Sequence, residues 1–176
     1  MILSVEEASA LIDFNSWDYA KIERKLKAVE QTIRAYTNNN FQVRGYRVRA
    51  SIVDGVLMSA SAVPFVIDDT VQISGSQFND GLYTITGTDN GTFTVSENIV
   101  DENDVLVTKV EYPADVIDCC INLLEWENSH RSKVGVQSET LSRHSVTYFN
   151  MDGSNSTMGY PVSLLGCLKA YRKARF

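Results

Sequence analysis

Two histidines and three cysteines are all that this chain of 176 residues offers to imidazole or thiol chemistry. His144 stands between Ser142 and Ser145, which is an acyl-transfer set in residue type only. No nucleophile elbow surrounds either serine, and closeness in sequence on an extended segment does not set a hydroxyl against an imidazole. Cys119 and Cys120 are adjacent, with His130 further along. Zinc sites pair ligands two to four residues apart, whereas adjacent side chains on a helix diverge by about 100°. Asp101-Glu102-Asn103-Asp104 supplies oxygens of the kind calcium prefers, but the glycine and terminal glutamate of an EF-hand loop are missing, so the segment reads as a solvated β-turn. Gly75, Gly81, Gly87 and Gly91 are too scattered for a phosphate loop and punctuate strands instead. Arg44, Tyr46, Arg47 and Arg49 mix cations with an aromatic ring, a pattern that can touch a phosphate backbone and equally suits a strand joining a helix to a sheet. The expectation is a protein without a catalytic, cofactor or metal site, and not an enzyme.

The composition is that of a globular chain, 44% hydrophobic and 22% charged. No run approaches the roughly 20 apolar residues of a membrane span, and Met1 to Ala10 carries Glu6 and Glu7 where an export signal has a basic start. Neither membrane insertion nor export is therefore expected. An odd number of cysteines without framework spacing fits reduced thiols. The net charge of −6 is unevenly spread: residues 1–49 carry +2, residues 50–112 carry −9 with Lys109 as the only cation, and residues 113–176 carry +1. So acidic a middle segment is repelled by a polyanion.

The elements that must position these residues fall into three stretches. Ser4 and Glu7 have capping-box spacing and predict a short helix to about Ile12. Tyr19, Ile22, Leu26, Val29, Ile33 and Tyr36 recur every three or four residues, one stripe of a five-turn helix that ends at Thr37-Asn38-Asn39-Asn40. Between Phe41 and Tyr112 the pattern turns to short β-rich runs around Val71, Leu82–Ile85, Thr92–Val95 and Val105–Val107, separated by Asn79-Asp80-Gly81 and Asp89-Asn90-Gly91. This predicts an antiparallel barrel or sandwich of about five strands. Pro113 and Asp115 open a third helix whose apolar face, from Val116 to Leu124, is wide enough to be central; it is expected to end near Arg131-Ser132-Lys133. Val134 to Asn150 reads as an extended arm or hairpin, Asp152 to Gly159 as a mobile polar loop, and Pro161 begins a last helix with Arg172, Lys173 and Arg175 at its C-terminal end. The expected class is α+β: a small bundle of about four helices, residues 1–41 and 112–176 with the arm at about 134–150, carrying an inserted acidic β-domain at 42–111.

In this order of elements the chain resembles the head-tail connector, or head-completion, proteins of tailed bacteriophages. The most specific segment runs from Gly135-Val136-Gln137-Ser138-Glu139 through Thr140-Leu141-Ser142-Arg143-His144 to Ser145-Val146-Thr147-Tyr148, similar to the Gly-Val-x-Ser-Glu…Ser-x-x-Tyr arm of that family. Leu168-Lys169-Ala170-Tyr171-Arg172-Lys173 looks like its terminal helix. The resemblance covers about residues 1–40 and 112–176, and the β-domain looks like the insertion of longer members.

The resemblance implies a structural protein of the virion neck that is made in the host cytoplasm. It implies a ring, usually of twelve copies, under the portal; the ring extends the double-stranded DNA channel and docks stopper or tail-completion proteins, with no membrane partner. Its interface residues would lie on the arm: Val136, Ser138, Glu139, Leu141, Arg143, His144, Val146 and Tyr148. Tyr171, Arg172, Lys173 and Arg175 are the portal-facing candidates. The competing readings are another neck or tail component, and a ligand-binding β-module with Phe78 or Tyr83 at the mouth of its pocket.

Overall fold

Ser4 accepts a hydrogen bond from the Glu7 amide at 3.1 Å while the Glu7 carboxylate accepts from the Ser4 amide at 2.8 Å, so both orphan donors of the first turn are satisfied and helix α1, Val5–Leu11, begins. Asp18 caps α2, Tyr19–Thr37, through the Lys21 amide at 2.7 Å. The apolar stripe of α2 buries Ile22, Leu26, Val29 and Ile33; Tyr19, at its open end, is 60% exposed. Asn38, in the left-handed region, closes the helix. These details come from a computed structural model, which describes residues 1–14, 16–134, 138–141, 144–147 and 154–174.

The chain divides into two compact units, Ile2–Asn39 with residues from Pro113 onward, and Asn40–Tyr112 with Met1. The second unit is a closed barrel of six antiparallel strands, one more than the runs predicted. The strands are β1, Gln42–Val53; β2, Val56–Met58; β3, Thr70–Ser74; β4, Gly81–Asp89; β5, Thr92–Val95; and β6, Glu102–Val110. They close in the order β1-β2-β5-β4-β3-β6. Closure leaves no open edge, which suits a module of this size. Val48, Ala50 and Ile52 of β1 face inward with Leu57, Val71, Ile73, Ile85, Phe93, Val105 and Val107, and Phe65 meets Phe93 edge-on at 5.5 Å between ring centres.

Two-residue turns set the register. At Asp89–Thr92 the central Asn90 and Gly91 both have positive φ, 35° and 90°, and Asp54-Gly55 between β1 and β2 repeats the geometry at 51° and 75°. Between Gln42, opposite Val110, and Arg47, opposite Thr108, β1 carries extra residues that bulge outward and expose Arg44 and Tyr46. The solvated turn expected at Asp101–Asp104 is instead the start of β6: Glu102 accepts from the Ser76 hydroxyl, the Gln77 amide and the Asn79 side chain, and Asp104 pairs with Arg49. These carboxylates are held by partners of their own, Ser76, Gln77 and Asn79 for Glu102 and Arg49 for Asp104.

In the helical unit, Pro113 precedes α3, Ala114–Ser129, which buries Val116, Cys119, Cys120, Leu123 and Leu124. A single 3-10 turn, Arg131–Lys133, follows. The last helix, Val162–Tyr171, is 3-10 and not α; Leu165 and Leu168 are fully buried, and the Cys119 thiol donates to the Leu164 carbonyl at 3.3 Å. Ten residues is long for this tight winding. The polar loop expected before it is partly ordered by a two-residue ladder, Ser156–Thr157 (β9) on Tyr160–Pro161 (β10), turning through Met158 and Gly159 at φ 53° and 80°.

Candidate assembly interface

The segment with the arm motif forms a hairpin of two four-residue strands, β7, Ser138–Leu141, and β8, His144–Thr147. Their pairing sets Ser138 opposite Thr147, Glu139 opposite Val146, Thr140 opposite Ser145 and Leu141 opposite His144. Thus Ser138, Glu139, Leu141, His144 and Val146 share one ladder; Val136, Arg143 and Tyr148 lie outside the described residues. A two-stranded ribbon is marginal by itself, because each strand leaves one edge of amides and carbonyls unpaired within the ribbon. Those edges can add to a neighbouring sheet by main-chain hydrogen bonding.

A buried polar cluster at the end of α3 was not expected from the sequence. Arg131 joins the end of α3 to the β9–β10 turn. Its Nε donates to Glu127 Oε1 at 3.0 Å and Nη2 donates to the same oxygen, while Nη1 donates to the Gly159 carbonyl at 2.9 Å. Its guanidinium lies 4.8 Å from the centre of the Trp126 ring and 5.1 Å from that of Tyr160. Lys25 of α2 donates to the other Glu127 oxygen at 2.7 Å. Glu127 is 4% exposed. Burial alone would push its carboxyl up, but hydrogen bonds from Arg131, Lys25 and Tyr160 outweigh it and hold the carboxyl below the usual range. Burial, and then the hydrogen bond to Glu127, push the Tyr160 phenol up, so it stays a donor. The i,i+4 spacing of Glu127 and Arg131 was visible in the sequence, but it is common on solvated helix faces and does not by itself signal a buried site.

Of the cations proposed to face a portal, Arg172 and Lys173 do not sit on a helix. The 3-10 helix stops at Tyr171, and Arg172 begins an extended tail tied to the end of α2. The Lys173 amide donates to the Thr37 carbonyl at 2.8 Å, the Asn38 side chain donates to the Ala174 carbonyl at 2.9 Å, and Arg172 lies over the Tyr36 ring at 5.3 Å. The Tyr171 hydroxyl donates to the Asp115 carboxylate at 2.7 Å, and that bond raises its pKa. Arg172 and Lys173 therefore owe their position to contacts with the end of α2 and not to a helix dipole. Arg172 and Lys173 are exposed; Arg175 lies outside the described residues.

Arm hairpin and tail cations occupy different elements, and none of the described contacts joins them. His130 Nδ1 meets the Ser129 hydroxyl at 2.6 Å, but that hydroxyl also reaches the Glu125 carbonyl at 2.6 Å, as a helix-terminal serine does. Phe78 is exposed on the barrel, whereas Tyr83 packs on the barrel core and its hydroxyl donates to the Asn79 carbonyl at 3.1 Å. The groove of about 600 Å³ on the barrel lies elsewhere, along Ser59–Val63 and the β4–β5 turn. Among the described residues no helix is long and apolar enough to cross a membrane. No protein-family model and no curated protein matches the chain.

Proposed function

We propose that this chain is a structural connector of the neck of a tailed phage or prophage. In this reading it forms a ring of copies, twelve in the virion, beneath the portal, extends the DNA channel and offers a platform to stopper or tail-completion proteins. The observation that carries the reading is the β7–β8 ribbon, two four-residue strands paired in register from Ser138 opposite Thr147 to Leu141 opposite His144. A ring closes through heterologous contacts, in which one surface of a copy meets a different surface of the next. A ribbon whose outer edges have no partner within it meets that need, because strand addition to a neighbour supplies main-chain hydrogen bonds. The similarity of the Gly135–Tyr148 segment to connector arms points the same way. The helical bundle and the extended arm are the connector fold in this reading; Tyr171, Arg172, Lys173 and Arg175 form the portal-facing end, and the DNA in the lumen is a passenger without base contacts.

Deletion of residues 136–148 tests the reading. The shortened protein should keep its thermal transition and its helical circular dichroism, yet fail to form rings or to join filled heads. Normal assembly by the deletion variant would refute the role of the arm.

A second reading, a β-module holding a small ligand or glycan, draws on the groove along Ser59–Val63 and Thr88–Thr92. Its lining is backbone and small side chains, and its one aromatic, Phe65, is turned into the barrel core at 4% exposed, so no ring is offered for stacking on a sugar. That lining favours the connector reading.

A further inference from the structure

The barrel unit is electrically polarised along β1. Its four cations, Arg44, Arg47, Arg49 and Lys109, all lie on the paired strands β1 and β6, and none occurs between Ala50 and Thr108. Two of them are matched by carboxylates: Arg49 pairs with Asp104 and Lys109 with Asp69. Arg47 instead donates to the neutral Thr108 and Gln42, at 3.0 and 3.4 Å, and Arg44 stands exposed on the bulge beside Tyr46, itself 47% exposed. This cationic, aromatic surface lies at the start of β1.

The opposite end of the barrel gathers the turn after β1, the loop before β4 and the loop before β6. Hydrogen bonds weld these together. Asn79 Nδ2 donates to the Val100 carbonyl at 2.9 Å and to Glu102 at 3.0 Å, the Val100 amide donates back to Asn79 Oδ1 at 2.7 Å, and the Gly55 amide donates to Asp101 at 3.4 Å. On this fixed frame Val53, Phe78 and Val100 are exposed at 46, 65 and 56%. Around them are Asp54, Asp80 and Asp101, with Glu97 near enough to Tyr83 to help raise its phenol after burial has done so. Three exposed apolar side chains on a hydrogen-bonded platform are ordered before any partner arrives, so covering them costs little conformational entropy.

The two surfaces match in sign and in character, one cationic with an exposed ring, the other anionic around an apolar centre. They cannot meet within one barrel. From Tyr46 to Val53 is seven residues of strand, or about 23 Å at the usual rise. We propose that the Phe78 end of the barrel docks onto the Arg44–Arg47 face of a second copy of this chain. The contact is head-to-tail, so each copy keeps one donor and one acceptor surface, and the association continues until the rotation closes it. This proposal stands whether or not the protein belongs to a phage neck.

The test uses the full chain, with the arm intact and no portal present. Two variants each remove one surface through exposed side chains: R44E/R47E keeps only the Phe78 end, and F78S/V100S keeps only the basic face. Sedimentation velocity is run from about 10 μM to about 1 mM protein, at low salt and at about 0.5 M salt. The wild type should self-associate, less so in salt, and each variant alone should associate at least tenfold more weakly. An equimolar mixture of the two should recover a one-to-one pair, because each contributes the surface the other lacks; that recovery also shows that both variants are folded. A wild type that stays monomeric to about 1 mM, variants that associate as tightly as wild type, or a mixture that does not pair would each overturn the proposal. So would a Phe78 end that binds a different protein while the chain stays monomeric.

Discussion

Replacing Glu127 by Gln leaves Lys25 and Arg131, whose side chains are 30% and 38% exposed, without the buried carboxylate that both now approach. Hydrogen bonds to a charged group are worth about 1.5–3 kcal/mol, and with both cations able to reach water E127Q should lose about 1–3 kcal/mol in urea unfolding. The same carboxyl fixes the acid limb of stability. Its folded pKa lies below the ordinary 4.5, so its contribution is complete above about pH 4.5 and is lost as pH falls through the folded value. The unfolding free energy of E127Q, measured by urea at a series of pH values, should accordingly fall less steeply below pH 4.5 than that of wild type. Gly159 is committed on two counts: its φ is +80°, and a Cβ would lie 3.3 Å from Arg131 Nη1, so G159A should cost about 1–2 kcal/mol by the same measurement. Thiol chemistry separates the cysteines. Burial pushes the Cys120 thiol up to about 12 and raises Cys119 as well, while Cys167 is exposed. Alkylation of the native protein near neutral pH should therefore label one thiol, and unfolding should release all three.

At the scale of elements, the stripe of α2 is what the sequence stated most clearly, because a run of three- and four-residue spacings has few structural meanings. Leu26 and Ile33 are fully buried, and either one replaced by Ala should cost about 2–5 kcal/mol through the cavity left behind. Asp89-Asn90-Gly91 was equally legible, since both central residues must take positive φ and these types accept it. The strand count was not. Asp54-Gly55 is the same kind of turn, but the three-residue β2 after it is too short to show alternation, so β1 and β2 did not register as two strands. Glu102 was misread because a run of four polar residues suggests solvent, whereas its carboxylate organises the loop beneath it. The 3-10 winding of Val162–Tyr171 had no local signal, since Leu164, Leu165 and Leu168 would suit either helix. Of the segment 134–150, the hairpin was legible as alternating Ser, Thr and apolar residues, while the Arg131 cluster depended on a fold that brings Gly159 back to α3.

For the whole molecule, the uneven charge seen in the sequence becomes a spatial fact: a barrel that is anionic over most of its length and cationic on one face. Such a unit has little affinity for a polyanion as a whole, which fits a component that lets DNA pass without holding it. Its mixed helix-and-barrel class follows from the patterns that announced it, but which neighbours it meets is chemistry that one chain displays only as unmatched surfaces. The measurement that tests the proposed connector role most directly is native mass analysis of the purified protein mixed with a portal protein encoded beside it. A connector should appear as a closed ring of copies bound to the portal, and the variant lacking residues 136–148 should not form it. A protein that remains a monomer and ignores the portal would contradict the account.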